Sequence, residues 1–184
     1  MSSYPLVALV GRPNVGKSTL VNRIVRQRLA VVHDRPGTTR DRQQADTEWQ
    51  GVSFTLVDTG GIEALDNILK GIAAPLAEDS AQFVREIREQ AEIAIADADV
   101  IVLVVDLTLG ITAADEEVVE ILRRTNKPVV VAANKGDNAA LRDNATEFYT
   151  LGMGEVYPVS ALHGAGVGDL LDAVVEALPR RPAW

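Results

Sequence analysis

Cysteine is absent from the 184 residues. Its absence excludes a disulfide framework and any thiolate-held metal, and makes a reducing, cytoplasmic compartment the natural setting. Long apolar runs are missing too. The longest strongly apolar stretch, residues 100–105, falls far short of the roughly 20 residues a membrane helix needs. Residues 6–10 are too short for a secretory core and lack a basic flank, so the chain reads as a soluble protein with no membrane partner. Positive charge is scarce: 18 Lys and Arg stand against 26 Asp and Glu, a formal net charge of −8. Such a surface is ill suited to gripping a nucleic-acid backbone over its whole extent.

What is present is an ordinary globular mix, 47% apolar and 24% charged, in a length that suits one domain. Residues 6–10, 100–105 and 128–133 are short, β-branched runs, each followed by a loop with Gly, Asp or Asn. They read as buried parallel strands. Residues 53–57 and 155–159 are shorter candidates, and 45–50 suits an edge strand. Helical spacing of apolar residues falls at 19–25, 83–96, 114–124 and 167–178, with Thr112 as a cap before the third. Alternation of strand and helix predicts an α/β fold. Its sheet is open, mostly parallel and six-stranded, with right-handed crossovers and helices on both faces. Residues 26–44 and 60–82 break the rhythm, and loops of that length are usually functional. We read 1–178 as the domain and 179–184 as the start of an interdomain linker or tail.

Directly after the first strand stands Gly11-Arg12-Pro13-Asn14-Val15-Gly16-Lys17-Ser18, with Thr19 following. The pattern G-x-x-x-x-G-K-[ST] between strand and helix marks a P-loop. Phosphate oxygens need many donors at close range. Gly16 lets backbone N–H groups approach, and the helix turns its positive end toward the anion. Lys17 brings a point charge to the outer phosphates, and the Ser18 hydroxyl is a hard ligand for Mg²⁺. The motif points to a nucleoside triphosphate without saying which base.

A second loop, Asn134-Lys135-Gly136-Asp137, follows the strand at 128–133. In an open α/β sheet both loops share the crevice beyond the strand ends. An ionised Asp137 accepts only, which suits the adjacent N1–H and amine of guanine and has no counterpart in adenine. Asn134 can serve the carbonyl and N7 side, and the Lys135 stem can lie over the ring. Ser160-Ala161-Leu162 can lend a backbone N–H to the guanine carbonyl. Asp58-Thr59-Gly60-Gly61 ends the strand at 53–57, placing Asp58 toward the metal and the Gly61 N–H toward the γ-phosphate. In Pro36-Gly37-Thr38-Thr39-Arg40-Asp41 a threonine can complete the Mg²⁺ shell and release it after hydrolysis.

With these motifs the chain resembles the translation-factor-related P-loop GTPases, and most closely the Era/TrmE-like group. The likeness also rests on Gln90-Ala91, the run from Ala98 to Asp106, Ala114-Asp115-Glu116 and the run from Val159 to Gly164. It covers nearly all of residues 5–178 and is strongest to the first domain of a member with two GTPase domains in tandem. The resemblance implies a GTP/GDP-binding switch that hydrolyses GTP, slowly in isolation, and acts in assembly of the large ribosomal subunit. It implies further domains after residue 184, Thr39 rather than Thr38 as metal ligand, and Lys17, Asn14, Thr39 and Gly61 as catalytic residues. Asn14 matches an asparagine that helps hold K⁺ against the phosphates in potassium-activated relatives, although an asparagine that only orders the turn fits as well.

Ile62 stands where many GTPases have the glutamine that orients water, and it can neither donate nor accept. A regulatory GTP/GDP-binding module with little hydrolysis of its own therefore remains an alternative, as does another Era-like GTPase acting on RNA. Six arginines (Arg23, Arg26, Arg28, Arg35, Arg40, Arg42) against Asp34 and Asp41 form a basic arm in an acidic chain. It suits RNA or a neighbouring domain, or simply a solvated loop.

Overall fold

A computed structural model describes residues 4–12, 15–27, 43–59 and 81–179. The strands are β1 (Leu6–Val10), β2 (Gln43–Trp49), β3 (Val52–Asp58), β4 (Val100–Asp106), β5 (Val129–Asn134) and β6 (Val156–Pro158). They form one sheet in the order β2-β3-β1-β4-β5-β6. Every pairing is parallel except β2 with β3, as the run lengths and connecting helices predict. The edge strand expected at 45–50 begins two residues earlier. Gln50 belongs instead to the turn, where Gln50 and Gly51 both take positive φ (50° and 79°). Trp49 pairs with Val52 across it, so two residues in left-handed backbone close the hairpin with the twist the strands require.

The helices are α1 (Lys17–Gln27), α2 (Ala81–Asp97), α3 (Ala113–Leu122), α4 (Ala139–Asp143) and α5 (Val167–Ala177). Strand β4 is buried throughout and serves both faces. Val100, Val102 and Val104 join Leu20, Ile24, Leu170, Leu171 and Val174 of α1 and α5 in one core. Ile101, Leu103 and Val105 join Ala91 and Ala94 of α2 and Val118, Val119 and Leu122 of α3 in the other. This period of two along a strand covered on both sides is why the run reads as continuously apolar. Thr112 caps α3 as expected, and Asp115 completes a reciprocal capping box.

The short α4 and the 3₁₀ segment Asn144–Leu151 were not expected from the sequence. Among the described residues, no helix is long and apolar enough to cross a membrane. The sheet register sets the site. Leu9 lies beside Asp58, and Asp106 beside Asn134, so the polar ends of β3, β4 and β5 and the loop after β1 meet at one edge.

Candidate functional site

Two glycines fix the loop after β1, each for a packing reason. A Cβ on Gly11 would stand 2.5 Å from the Val104 carbonyl oxygen of β4. Gly16 has φ 93°, and a Cβ there would collide with the side-chain amide of Asn134. Gly16 is thus required by the neighbouring loop as well as by any phosphate. Helix α1 begins at once, with Leu20 N donating to Gly16 O at 2.9 Å.

The Lys17 ammonium is almost fully buried and donates to the Gly11 carbonyl and, at 3.2 Å, to Gln90 Oε1 on α2. Ser18 Oγ donates to Asp58 Oδ2 at 2.8 Å. Thr59 spends its hydroxyl on Leu9 O at 2.9 Å, locking the end of β3 to β1. A hydroxyl and a carboxylate converging beside the helix start fit a hard, oxygen-seeking Mg²⁺. They are too few to fill its six positions, so phosphate and water oxygens would supply the rest.

The second loop is tied to the first by Asn134. Its Nδ2 donates to Val15 O at 2.8 Å and its Oδ1 accepts from Ala161 N at 3.0 Å. The two groups of its carboxamide therefore join this loop to the P-loop and to the turn at Ala161. The Ala161 N–H is engaged by Asn134, and only the second Nδ2 hydrogen of Asn134 is left for a base. Asp137, exposed, accepts from Ser160 Oγ at 2.7 Å, and that hydroxyl accepts from His163 N at 3.0 Å. Arg23 donates to the carbonyls of Ala161 and Leu162. One of the six arginines of the basic arm is therefore a clamp on the Ser160–Leu162 turn, whose Leu162 side chain stays exposed.

Arg12 extends the wiring of the site to β4 and α3. It sits in the P-loop, yet its guanidinium points away into the protein, 3.7 Å from Asp106 Oδ2 and 3.8 Å from Asp115 Oδ1. Asp106 also receives Lys135 Nζ at 2.8 Å, with Lys135 held at φ 69°. Burial pushes the Asp106 carboxyl up, but hydrogen bonds from Lys135 and Thr108 outweigh it and hold the group below its ordinary value. Burial dominates at Asp115 and raises it.

Sequence reasoning missed this cluster, although an acid closing an apolar strand and an acid three residues after a cap were both visible. It also missed the bond from Lys17 to Gln90, signalled only by a polar residue on the apolar face of α2. Thr19 is exposed at the start of α1. Pro13, Asn14, Thr39, Gly60, Gly61 and Ile62 lie outside the described residues, as does the basic arm beyond residue 27.

A family model described as 50S ribosome-binding GTPase matches residues 6–135. The chain belongs to that GTPase family. The chain is 53% identical over 179 residues to GTPase Der of Limosilactobacillus fermentum, covering 97% of this chain and 38% of that protein. It is 53% identical over 176 residues to GTPase Der of Geobacillus kaustophilus, covering 96% and 37%. The chain thus spans well under half the length of the curated relatives it matches. Among solved structures, Era in complex with MgGDPNP and a 16S ribosomal RNA segment aligns with TM-score 0.64 and 27% identity, over 98% of this chain and 59% of that one. The cytosolic domain of the T. maritima FeoB iron transporter in a GDP form aligns with TM-score 0.65 and 25% identity, over 97% and 64%. The expected α/β P-loop architecture and the Era-like resemblance both hold.

Proposed function

We propose that this chain is a guanine-nucleotide-binding, GTP-hydrolysing switch domain of a longer, Der-like cytoplasmic protein acting in large ribosomal subunit assembly. The observation that carries the reading is Asn134, whose one carboxamide joins the P-loop at Val15 to the Ser160–Leu162 turn. A single residue thereby ties the loop read as the phosphate cradle to the turn read as flanking the base. Residues 179–184 are read as the beginning of the connection to further domains, supported by the greater length of the relatives.

Each group has a part in this reading. Backbone N–H groups around Gly16 and the start of α1 bind the phosphates, and Lys17 offsets their charge. Ser18, Asp58 and Thr39 are the oxygens that would hold Mg²⁺, which when bound neutralises phosphate charge. Asp137 reads the N1–H and amine of guanine, Lys135 covers the ring, and Gly61 donates to the γ-phosphate. Asn14 is read as a residue that would hold K⁺. The Ile62 side chain cannot orient water, which favours the second reading, a binding module with little hydrolysis of its own.

Calorimetry of the 184-residue chain with GDP and Mg²⁺ is expected to give saturable heat, and its absence would end the proposal. Asp137→Asn is expected to shift preference toward xanthine nucleotides. Multiple-turnover hydrolysis separates enzyme from module. Hydrolysis is expected to be faster in potassium than in sodium, with Asn14→Ala erasing the difference. Charge reversal at Arg26 and Arg28 is expected to weaken co-sedimentation of the full-length protein with ribosomal subunits.

A further inference from the structure

Gln90 sits midway along α2 at 4% exposure, on the same side of the helix as the buried Ala91 and Ala94. Placing a carboxamide there costs desolvation that a leucine or methionine would avoid, so its polar end needs a partner that matters. The partner is the P-loop ammonium: Gln90 Oε1 accepts from Lys17 Nζ at 3.2 Å, with the Thr59 hydroxyl 3.4 Å from the same oxygen. Chemistry discriminates between the acceptors that would fit. A glutamate in this place would form a short ion pair and cancel the charge that outer phosphates require. A methionine would remove one acceptor that holds the long, flexible lysine stem, leaving the Gly11 carbonyl in place. A neutral carbonyl oxygen directs the ammonium while leaving its full charge for an anion.

We propose that Gln90 is a positioning residue that aims Lys17 at the outer phosphates, so that it sets how strongly a second phosphate strengthens binding. The proposal rests on the reading of Gly11–Ser18 as the phosphate site and adds to it a residue from a distant helix. Because α2 carries the guide, any shift of that helix changes where the lysine points.

The test is the ratio of GDP to GMP affinity, measured with Mg²⁺ by competition against a fluorescent GDP, for the wild-type chain, Gln90→Glu and Gln90→Met. Thermal melts run in parallel. Gln90→Glu is expected to weaken GDP about tenfold by competing for the ammonium while leaving GMP nearly unchanged. Gln90→Met is expected to lower the ratio by a smaller, few-fold amount through lost pre-organisation. If the glutamate variant does not fold, the volume-matched methionine decides alone. An unchanged ratio in the folded variants, or equal losses for both nucleotides, overturns the positioning role while the phosphate site stands. Failure of the wild-type chain to bind GDP overturns the site itself.

Discussion

Asn134 does at residue scale what two motifs read separately from sequence could not reveal. One amide donates to Val15 O, accepts from Ala161 N and abuts Gly16 so closely that only glycine fits. Asn134→Asp keeps the acceptor but replaces the donor by a second oxygen facing the Val15 carbonyl. It is expected to cost about 1–3 kcal/mol in chemical denaturation, since a buried carbonyl loses its partner. The Arg12–Asp106–Lys135 cluster gives a pH-dependent prediction. Asp106 titrates below its ordinary value of 3.8 in the folded chain, so its support is complete above that value and fades as pH falls through the lower folded one. Asp106→Asn is expected to destabilise by about 2–3 kcal/mol near pH 7, read by urea unfolding. The gap to wild type is expected to narrow below pH 3.8. A gap that widens in acid would contradict the assignment.

At the scale of elements, legibility followed whether a segment's residues carried its reason for folding. The runs at 6–10 and 100–105 announced themselves because both faces are covered. The cap at Thr112 did so because a hydroxyl three residues before an acid is a local device; Thr112→Ala is expected to lower stability by about 1 kcal/mol in thermal unfolding. Helix α4 and the 3₁₀ segment carried no such signal. Helix α4 is only five residues long and buries none of them, so it has no apolar stripe, while the segment after it follows a period of three. That segment is nevertheless anchored by Phe148, fully buried in the core shared with α3. Phe148→Ala is expected to cost about 3–5 kcal/mol by the same unfolding measurement.

For the whole molecule, the fold and the family were readable because phosphate and purine chemistry demand particular residue types at fixed offsets. Their mutual wiring was not. The side chains of Arg12, Gln90, Arg23 and Asn134 join positions from 27 to 139 residues apart in sequence, and no local pattern encodes which partner each will choose. The hairpin of β2 and β3 is wired to the far end of the chain in the same way. Trp49 Nε1 donates to Asp172 Oδ1 of α5 at 2.7 Å, and Gln50 Nε2 reaches the same oxygen at 3.0 Å.

That indole is one of only two in the sequence, the other being Trp184. In a Trp184→Phe background the 184-residue chain carries a single tryptophan, excited selectively at the red edge of the band and seated where the edge strand β2 meets α5. Its emission maximum becomes an optical gauge of that joint: releasing the indole with Asp172→Ala should shift the spectrum to the red, with no dye attached.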